Sequence, residues 1–352
     1  MVGNDIELII KNNVLAVISS NKLTVMSSAI YNGGCRNTKV IINTQVFDDY
    51  GDKKLHENPV NYIIECSKKI SNIDDFVGMV TYASINDFSL VTKKEGALGV
   101  SVVATAGCTH AESSGEEIEV EEISGTINII VLIDGNPTAS CLASSIITAT
   151  EAKTAALRDL DLRSRYSGLE ATGTVTDALV VAKTGQGENI VYGGPATKLG
   201  KLIASCTRSA VKEAIIKAKI GGYHPRRSII KRLAERKLSV QKLATEISKI
   251  DNLTLESHKL EKILLSEPTF ASILLAATKL DEDIMKELIP KELENLPLLS
   301  RQFGKMLLDS KNTSINKKFD NYSNVKLPLF TKHVLIAFLI NNNSKEKNEN
   351  LK

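Results

Sequence analysis

Tryptophan is absent from this chain, and aromatic side chains make up only 5% of it. Stacking on bases or sugar rings is therefore not available as a main recognition strategy. Histidine occurs five times, at 56, 110, 224, 258 and 333, too dispersed for a histidine-centred triad or a histidine-rich metal site. The five cysteines, Cys35, Cys66, Cys108, Cys141 and Cys206, are odd in number and scattered. That argues against a disulfide framework and a zinc site, and fits a reducing cytoplasm.

No apolar run approaches the roughly 18 residues that suggest a membrane span, and Val334–Ile340 is far too short. Met1–Asp5 is polar, without a signal-peptide pattern. A cytoplasmic protein without a membrane partner is expected. Several motifs are also missing: GxxxxGK[ST], GxGxxG after a strand, HExxH, CxxC and GxSxG. A nucleophile would then be a serine or threonine hydroxyl, or a water activated by a carboxylate.

What is present is globular. Of 352 residues 43% are hydrophobic and 24% charged, enough for one large domain or two ordinary ones. The net charge of +3 is uneven: residues 1–220 carry 21 basic and 25 acidic side chains, residues 221–352 carry 23 and 16. A break near Gly221-Gly222 separates a mildly acidic body from a basic region. The dispersed charges favour a solvated helical surface there over a nucleic-acid site, although nucleic acid stays open for that region.

Periodicity predicts strands at Ile6–Ile10, Val14–Ile18, Leu23–Met26 and Val40–Val46, a helix from Pro59 to about Ile70, and strands at Val77–Tyr82, Phe88–Val91 and Leu98–Thr105. The acidic run Ala111–Ile123 reads as a solvated loop or edge strand. Thr126–Ile133 is apolar enough to be covered on both faces. A long helix follows from Pro137-Thr138 to about Leu160, then a strand over Thr172–Ala182 and a helix over about Lys198–Lys219. The fold class expected is α+β, a mixed, largely antiparallel sheet packed with long helices over residues 1–220. Residues 221–340 should form a smaller, basic, all-helical domain, with segments at Arg226–Glu235, Val240–Ile250, Leu255–Leu265, Ala271–Thr278 and Glu282–Ile289. Lys237–Ala244 faintly resembles a helix-turn-helix, but a plain bundle is preferred. Asn341–Lys352 is expected to be disordered.

Two blocks concentrate polar groups in small, apolar surroundings: Thr148–Thr154, with Glu151 and Lys153, and Ala171–Ala178, with Thr172, Gly173, Thr174, Thr176 and Asp177. Lys153 falls in the packed stripe of the long helix, so it snorkels or meets a charged partner. Glu151 points to the opposite side of that helix, so the two cannot share one site from a straight helix. Asp177 heads an apolar row of its strand, where a carboxylate either accepts several hydrogen bonds or serves acid–base chemistry. Asn128 among isoleucines could donate to an oxyanion. Asn32-Gly33-Gly34 could do likewise or simply turn a hairpin. Thr105-Ala106-Gly107 ends a strand where a backbone could approach a ligand.

Taken in order, Ser27–Gly34, Thr105–Gly107, Gly125–Asn128, Thr150–Lys153, Ala171–Asp177 and Lys198–Gly200 resemble the adenosylcobinamide amidohydrolase family of archaeal corrinoid salvage, over roughly residues 15–220. The resemblance implies hydrolysis of the amide between the aminopropanol arm and the corrin propionate, giving adenosylcobyric acid and aminopropanol. Amide hydrolysis needs a base, oxyanion donors and an acid for the amine, and the working assignment is a catalytic set of Asp177 as base, Lys153, Asn128, Glu151 and Thr174. Substrate contacts would come from Asn32, Gly33, Gly34, Thr105, Gly107, Thr126, Thr172, Gly173 and Thr176. No cofactor or metal is required of the protein, because cobalt arrives with the small-molecule corrinoid substrate. The chain departs from the family at Thr109-His110-Ala111, where asparagine then alanine is expected, and at Pro195-Ala196-Thr197, where a histidine or similar polar residue is expected. A non-hydrolytic corrinoid-binding module and a self-processing threonine-nucleophile acyltransferase are the competing readings. Oligomeric state stays open, a homo-oligomer included.

Overall fold

The computed structural model describes residues 5–46, 58–68, 70, 75–117, 125–218, 228–250, 255–306 and 324–349. They fall in two compact units, Met1–Pro225 and Arg226–Lys352.

The first unit is built on a mixed sheet. Its strands are β1 (Ile6–Lys11), β2 (Val14–Ser27), β3 (Gly34–Gln45), β4 (Phe76–Thr81), β5 (Ser89–Glu95), β6 (Leu98–Ala106), β8 (Ile127–Asp134) and β11 (Ala178–Lys183). The order is β4-β3-β2-β11-β8-β6-β5, with β1 on β2. Only β3–β4 and β8–β11 are parallel; the remaining pairs are antiparallel. The α+β class is therefore as expected. Among the described residues three α-helices accompany the sheet: α1 (Pro59–Lys68), α2 (Ala139–Asp159) and α3 (Lys198–Lys217). Thr138 and Thr197 start the last two, their hydroxyls accepting the amides of Cys141 and Gly200.

The core shows how the sheet is bent. Alternate residues of β6, β8 and β11, such as Val102, Ile129 and Val181, pack with Leu142, Ala149 and Ile203 of α2 and α3. On the opposite face, Val103, Ile130 and Val180 meet Leu15, Val25, Ile41 and Met79 from β2, β3 and β4. The outer face of that second group, with Val14 and Ile42, is covered by Tyr62 and Ile63 of α1. Residues with three strands between them in the sheet touch directly: Asn128 of β8 donates to the Val80 carbonyl of β4 (2.8 Å), and Asn43 of β3 to Thr105 of β6 (2.9 Å). The sheet folds over on itself, giving a helix–sheet–sheet–helix stack.

Several boundaries differ from the sequence reading. Val14–Ile18 and Leu23–Met26, read as two strands, are one strand with a register break between Ile18 and Leu23. The strand expected over Thr172–Ala182 is interrupted. Its first part, β10 (Gly173–Thr174), pairs with β7 (Ala111–Glu112), a turn takes Val175-Thr176, and β11 starts at Ala178. A further short pair joins β9 (Asn136–Pro137) and β12 (Asn189–Ile190). Most of the acidic run, residues 118–124, lies outside the described residues.

The second unit is helical: α4 (Ile229–Glu235), α5 (Val240–Ile247), α6 (Ser257–Ser266), α7 (Pro268–Met285), α8 (Leu296–Lys305) and α9 (Leu329–Glu349). The two segments expected at 271–278 and 282–289 are a single helix, because nothing from Lys279 to Asp281 breaks the helical run. The polar stretch after Asn341, expected to be disordered, continues the backbone of α9 to Glu349. The core gathers Leu243, Leu260, Leu274 and Val334, with Phe270 stacked on Phe338 at 3.8 Å. Among the described residues no single helix is long and apolar enough to cross a membrane.

His333 makes this second unit acid-sensitive. It is 4% exposed, its Nδ1 lies 2.8 Å from the Ser300 hydroxyl, and burial, with Lys332 and Arg301 adding to it, pushes its pKa down to about 4. A depressed imidazole is neutral in the fold and takes its proton on unfolding. The associated stability is complete above about pH 6.5 and is lost as pH falls toward about 4. His333→Asn should flatten that loss, on the order of 2–3 kcal/mol, in urea midpoints measured between pH 7 and pH 4. An unchanged acid limb would count against His333 as the sensor.

Candidate active site

The two parallel central strands, β8 and β11, begin side by side, with Asn128 opposite Ala178. Just before β11, the turn at Val175-Thr176 aims Asp177 back toward α2. Its Oδ1 accepts the Ile127 amide (2.9 Å) and the Thr174 hydroxyl, and its Oδ2 accepts the Thr174 amide (3.1 Å) and the Lys153 ammonium. The pair is largely enclosed, with Lys153 12% and Asp177 15% exposed. Lys153 therefore meets a charged partner, one of the two outcomes its place in the helix stripe allows. Among the described residues Asp177 is its hydrogen-bond partner.

The second block is anchored to the same helix. Thr154 donates to the Thr172 carbonyl (3.2 Å), and the Thr172 hydroxyl donates to Ser114 Oγ and accepts the Ser114 amide. Gly173 lies against the charge pair: a Cβ there would stand 2.6 Å from Asp177 Oδ2 and 2.8 Å from Lys153 Nζ. The position has no room for a side chain. Thr126 and Thr176 share a hydrogen bond of 2.8 Å at the edge of the turn. A cleft of about 380 Å³ opens beside it, lined by Ser28, Ile30, Met79, Tyr82, Thr176 and Asp177 among others.

Other expected residues are committed elsewhere. Asn128 gives both amide hydrogens away, to Asn43 Oδ1 (2.7 Å) and the Val80 carbonyl, and its oxygen accepts the Ala178 amide (3.1 Å). No donor is left for an oxyanion, so its role is to tie the folded sheet together. Thr105 is 1% exposed and serves the same thread by accepting from Asn43. Asp177 likewise has four donors on a group with about four lone-pair sites, which leaves no place for a proton from water. The base role expected of it is not supported by this geometry. Thr174, 4% exposed, spends its hydroxyl on Asp177. Glu151 is exposed on α2 and is not brought to the pair.

Asn32-Gly33-Gly34 is a structural turn. Asn32 has φ +54° and donates to the Phe76 carbonyl, and Gly34 has φ +83°. The Gly107 amide donates to the Thr126 carbonyl (3.0 Å), so it too is occupied.

Sequence reasoning passed over two neighbours of the pair, and Asn43 in the buried thread. Cys108 is buried, and burial, reinforced by the Asp177 charge, pushes its thiol far above the usual range. Glu112 has its carboxyl raised, first by partial burial and then by Asp177 and Glu116, with Lys153 opposing. Asn43 completes the buried thread. Among the described residues no cluster of three histidine, cysteine or acidic side chains could hold a metal.

The adenosylcobinamide amidohydrolase family model matches residues 3–221, nearly the whole first unit and more than half of the chain. The chain belongs to this family. Its curated relatives include an adenosylcobinamide amidohydrolase of Methanosarcina mazei, 27% identical over 193 residues, covering 52% of this chain and 86% of that protein. An uncharacterized protein of Methanocaldococcus jannaschii is 32% identical over 232 residues, covering 59% of this chain and 87% of its own length. Among solved structures, a protein of Pyrococcus horikoshii overlays with a TM-score of 0.33 at 14% identity, covering 62% of this chain and 86% of the other. The L-aminopeptidase D-Ala-esterase/amidase of Ochrobactrum anthropi gives 0.32 at 11%, covering 61% and 83%. Those overlaps are too loose to bear on fold or activity.

The family's amidohydrolase chemistry thus belongs to the first unit, and residues 222–352 stand outside the match. Of the two departures from the family pattern, Thr197 caps α3, and His110 is buried with its Nε2 against Arg165.

Proposed function

We propose that this protein hydrolyses the aminopropanol amide of adenosylcobinamide, releasing adenosylcobyric acid and aminopropanol. The carrying observation is the enclosed Lys153–Asp177 pair against side-chain-free Gly173, in the segment where the family blocks converge. Amide hydrolysis requires positive charge or donors where the carbonyl oxygen becomes an oxyanion. Lys153 has three N–H groups and places one on Asp177, so the others are available to that oxygen. Asp177 is then a positioning residue, fixing the ammonium with the help of the Ile127 and Thr174 amides.

The adjoining cleft supports the substrate class by its size. About 380 Å³ is at the small end of ligand sites and accommodates a side arm, while a corrin macrocycle must stay outside. Ile30, 54% exposed at the cleft, offers an apolar contact for a ring edge.

Incubating the purified protein with adenosylcobinamide and separating the corrinoids by chromatography tests this directly. Adenosylcobyric acid, with one aminopropanol per corrinoid, is the expected product. Corrinoid binding with no aminopropanol released would overturn hydrolysis in favour of a binding module.

A further inference from the structure

With Asp177 saturated, the site needs another group to take a proton from water, and Glu112 stands where such a group is required. In the two-residue ladder of β7 and β10, Glu112 is directly opposite Gly173. Directly opposed residues of an antiparallel pair project to the same face, with Cβ atoms about 4.5–5.5 Å apart. The Cβ direction of Gly173 leads to Asp177 Oδ2 and Lys153 Nζ, at 2.6 and 2.8 Å. Glu112 therefore leans toward the charge pair across a residue that has no side chain. No described group donates a hydrogen bond to its carboxylate. Its acidic neighbour Glu116, by contrast, is held by the Ser113 amide and the Ser164 hydroxyl.

We infer that Glu112 is the general base of the hydrolysis, an inference that rests on the function proposed above. A water beside Glu112 gives a proton to the carboxylate as its oxygen bonds to the amide carbon. The carbonyl electron pair moves onto oxygen, beside the Lys153 ammonium. On collapse the C–N bond breaks with its electrons on nitrogen, which takes the proton back from Glu112. The products are a carboxylic acid, which loses its proton to solvent, and a free amine. Partial burial together with the Asp177 and Glu116 charges raises the carboxyl toward the working range of a base, against the pull of Lys153. Tyr166 lies close enough to feel the Glu112, Glu116 and Arg165 charges, His110 is held against Arg165, and the buried Cys108 thiol faces the Lys153–Asp177 pair.

The test compares wild type, Glu112→Gln and Glu112→Asp on adenosylcobinamide, reading kcat, KM and the pH profile of kcat/KM. Glu112→Gln should lower kcat by about 10²–10⁴-fold, keep KM within about threefold and remove the acid limb of the profile. Glu112→Asp should recover part of the lost rate. A Gln variant with wild-type kcat and an intact acid limb would overturn the assignment while leaving the proposed function standing. If the Gln variant does not fold, Glu112→Asp decides. A kcat lowered about tenfold or more at unchanged KM supports the base role, and an unchanged kcat overturns it. Wild-type protein that releases no aminopropanol would remove both this inference and the function it rests on.

Discussion

Asp177→Asn should abolish turnover and also weaken the first unit, an outcome the bare sequence would not suggest. A catalytic carboxylate on a strand is expected to be replaceable by its amide with the fold intact. Here the carboxylate is the meeting point of four donors from three segments: Ile127, Thr174 twice, and Lys153. An asparagine offers one acceptor atom and turns an NH₂ toward the remaining donors. It also leaves the Lys153 ammonium enclosed without its hydrogen-bonded counter-charge, which is costly where water is scarce. For groups 12% and 15% exposed, about 2–4 kcal/mol is expected, or roughly 5–15 °C in melting temperature for a unit of this size. Turnover should fall by about 10³-fold or more, because the ammonium is no longer fixed where the oxyanion forms.

A double variant separates the two effects. Adding Lys153→Met removes the stranded charge, so Asp177→Asn with Lys153→Met should melt higher than Asp177→Asn alone and remain inactive. Equal melting of the single and double variants would show that the unpaired ammonium is not what destabilises the fold.

Gly173→Ala should be nearly as damaging to catalysis through a single methyl group. The backbone at Gly173 is not in the left-handed region, so alanine meets no conformational penalty there. The obstacle is contact: the methyl carbon would lie 2.6 Å from Asp177 Oδ2 and 2.8 Å from Lys153 Nζ. Either the ion pair moves aside or β10 shifts on β7, and both displace the ammonium by a sizeable fraction of an ångström. A shift of that order at the reacting centre corresponds to about 10²-fold in kcat. Gly194→Ala, whose Cβ meets nothing within 4 Å, is the matched control and should retain activity. Wild-type kcat in Gly173→Ala would mean that the exact placement of the Lys153–Asp177 pair does not govern turnover.

Much of this was legible before the structure. The apolar run Thr126–Ile133 and the capped helix after Thr138, with Lys153 in its packed stripe, carry strong local signals, and each forms the kind of element read from it. What was not legible depends on contacts remote in sequence. Asn128 looks like an oxyanion donor until Asn43, 85 residues earlier, is seen to accept its proton. Asp177 looks like a base until the Ile127 amide, 50 residues earlier, is seen to fill one of its lone pairs. Glu112 was hidden by composition, since one carboxylate at the head of an acidic run gives no sign of pairing across from Gly173. The break at Val175-Thr176 was missed because threonine and valine favour strand, while the turn there is fixed by the Asp177 hydrogen bonds.

The place of β11 in the sheet has a bearing on how the chain comes off the ribosome. It alone links the β1–β4 half to the β5–β8 half in the strand order, yet among the described strands of that sheet it is the last to be synthesised. Until residue 183 has emerged, two half-sheets wait with an open hydrogen-bonding edge each, at β2 and at β8. A nascent chain arrested before that point should be a target for holding chaperones, and one arrested shortly after it should be released.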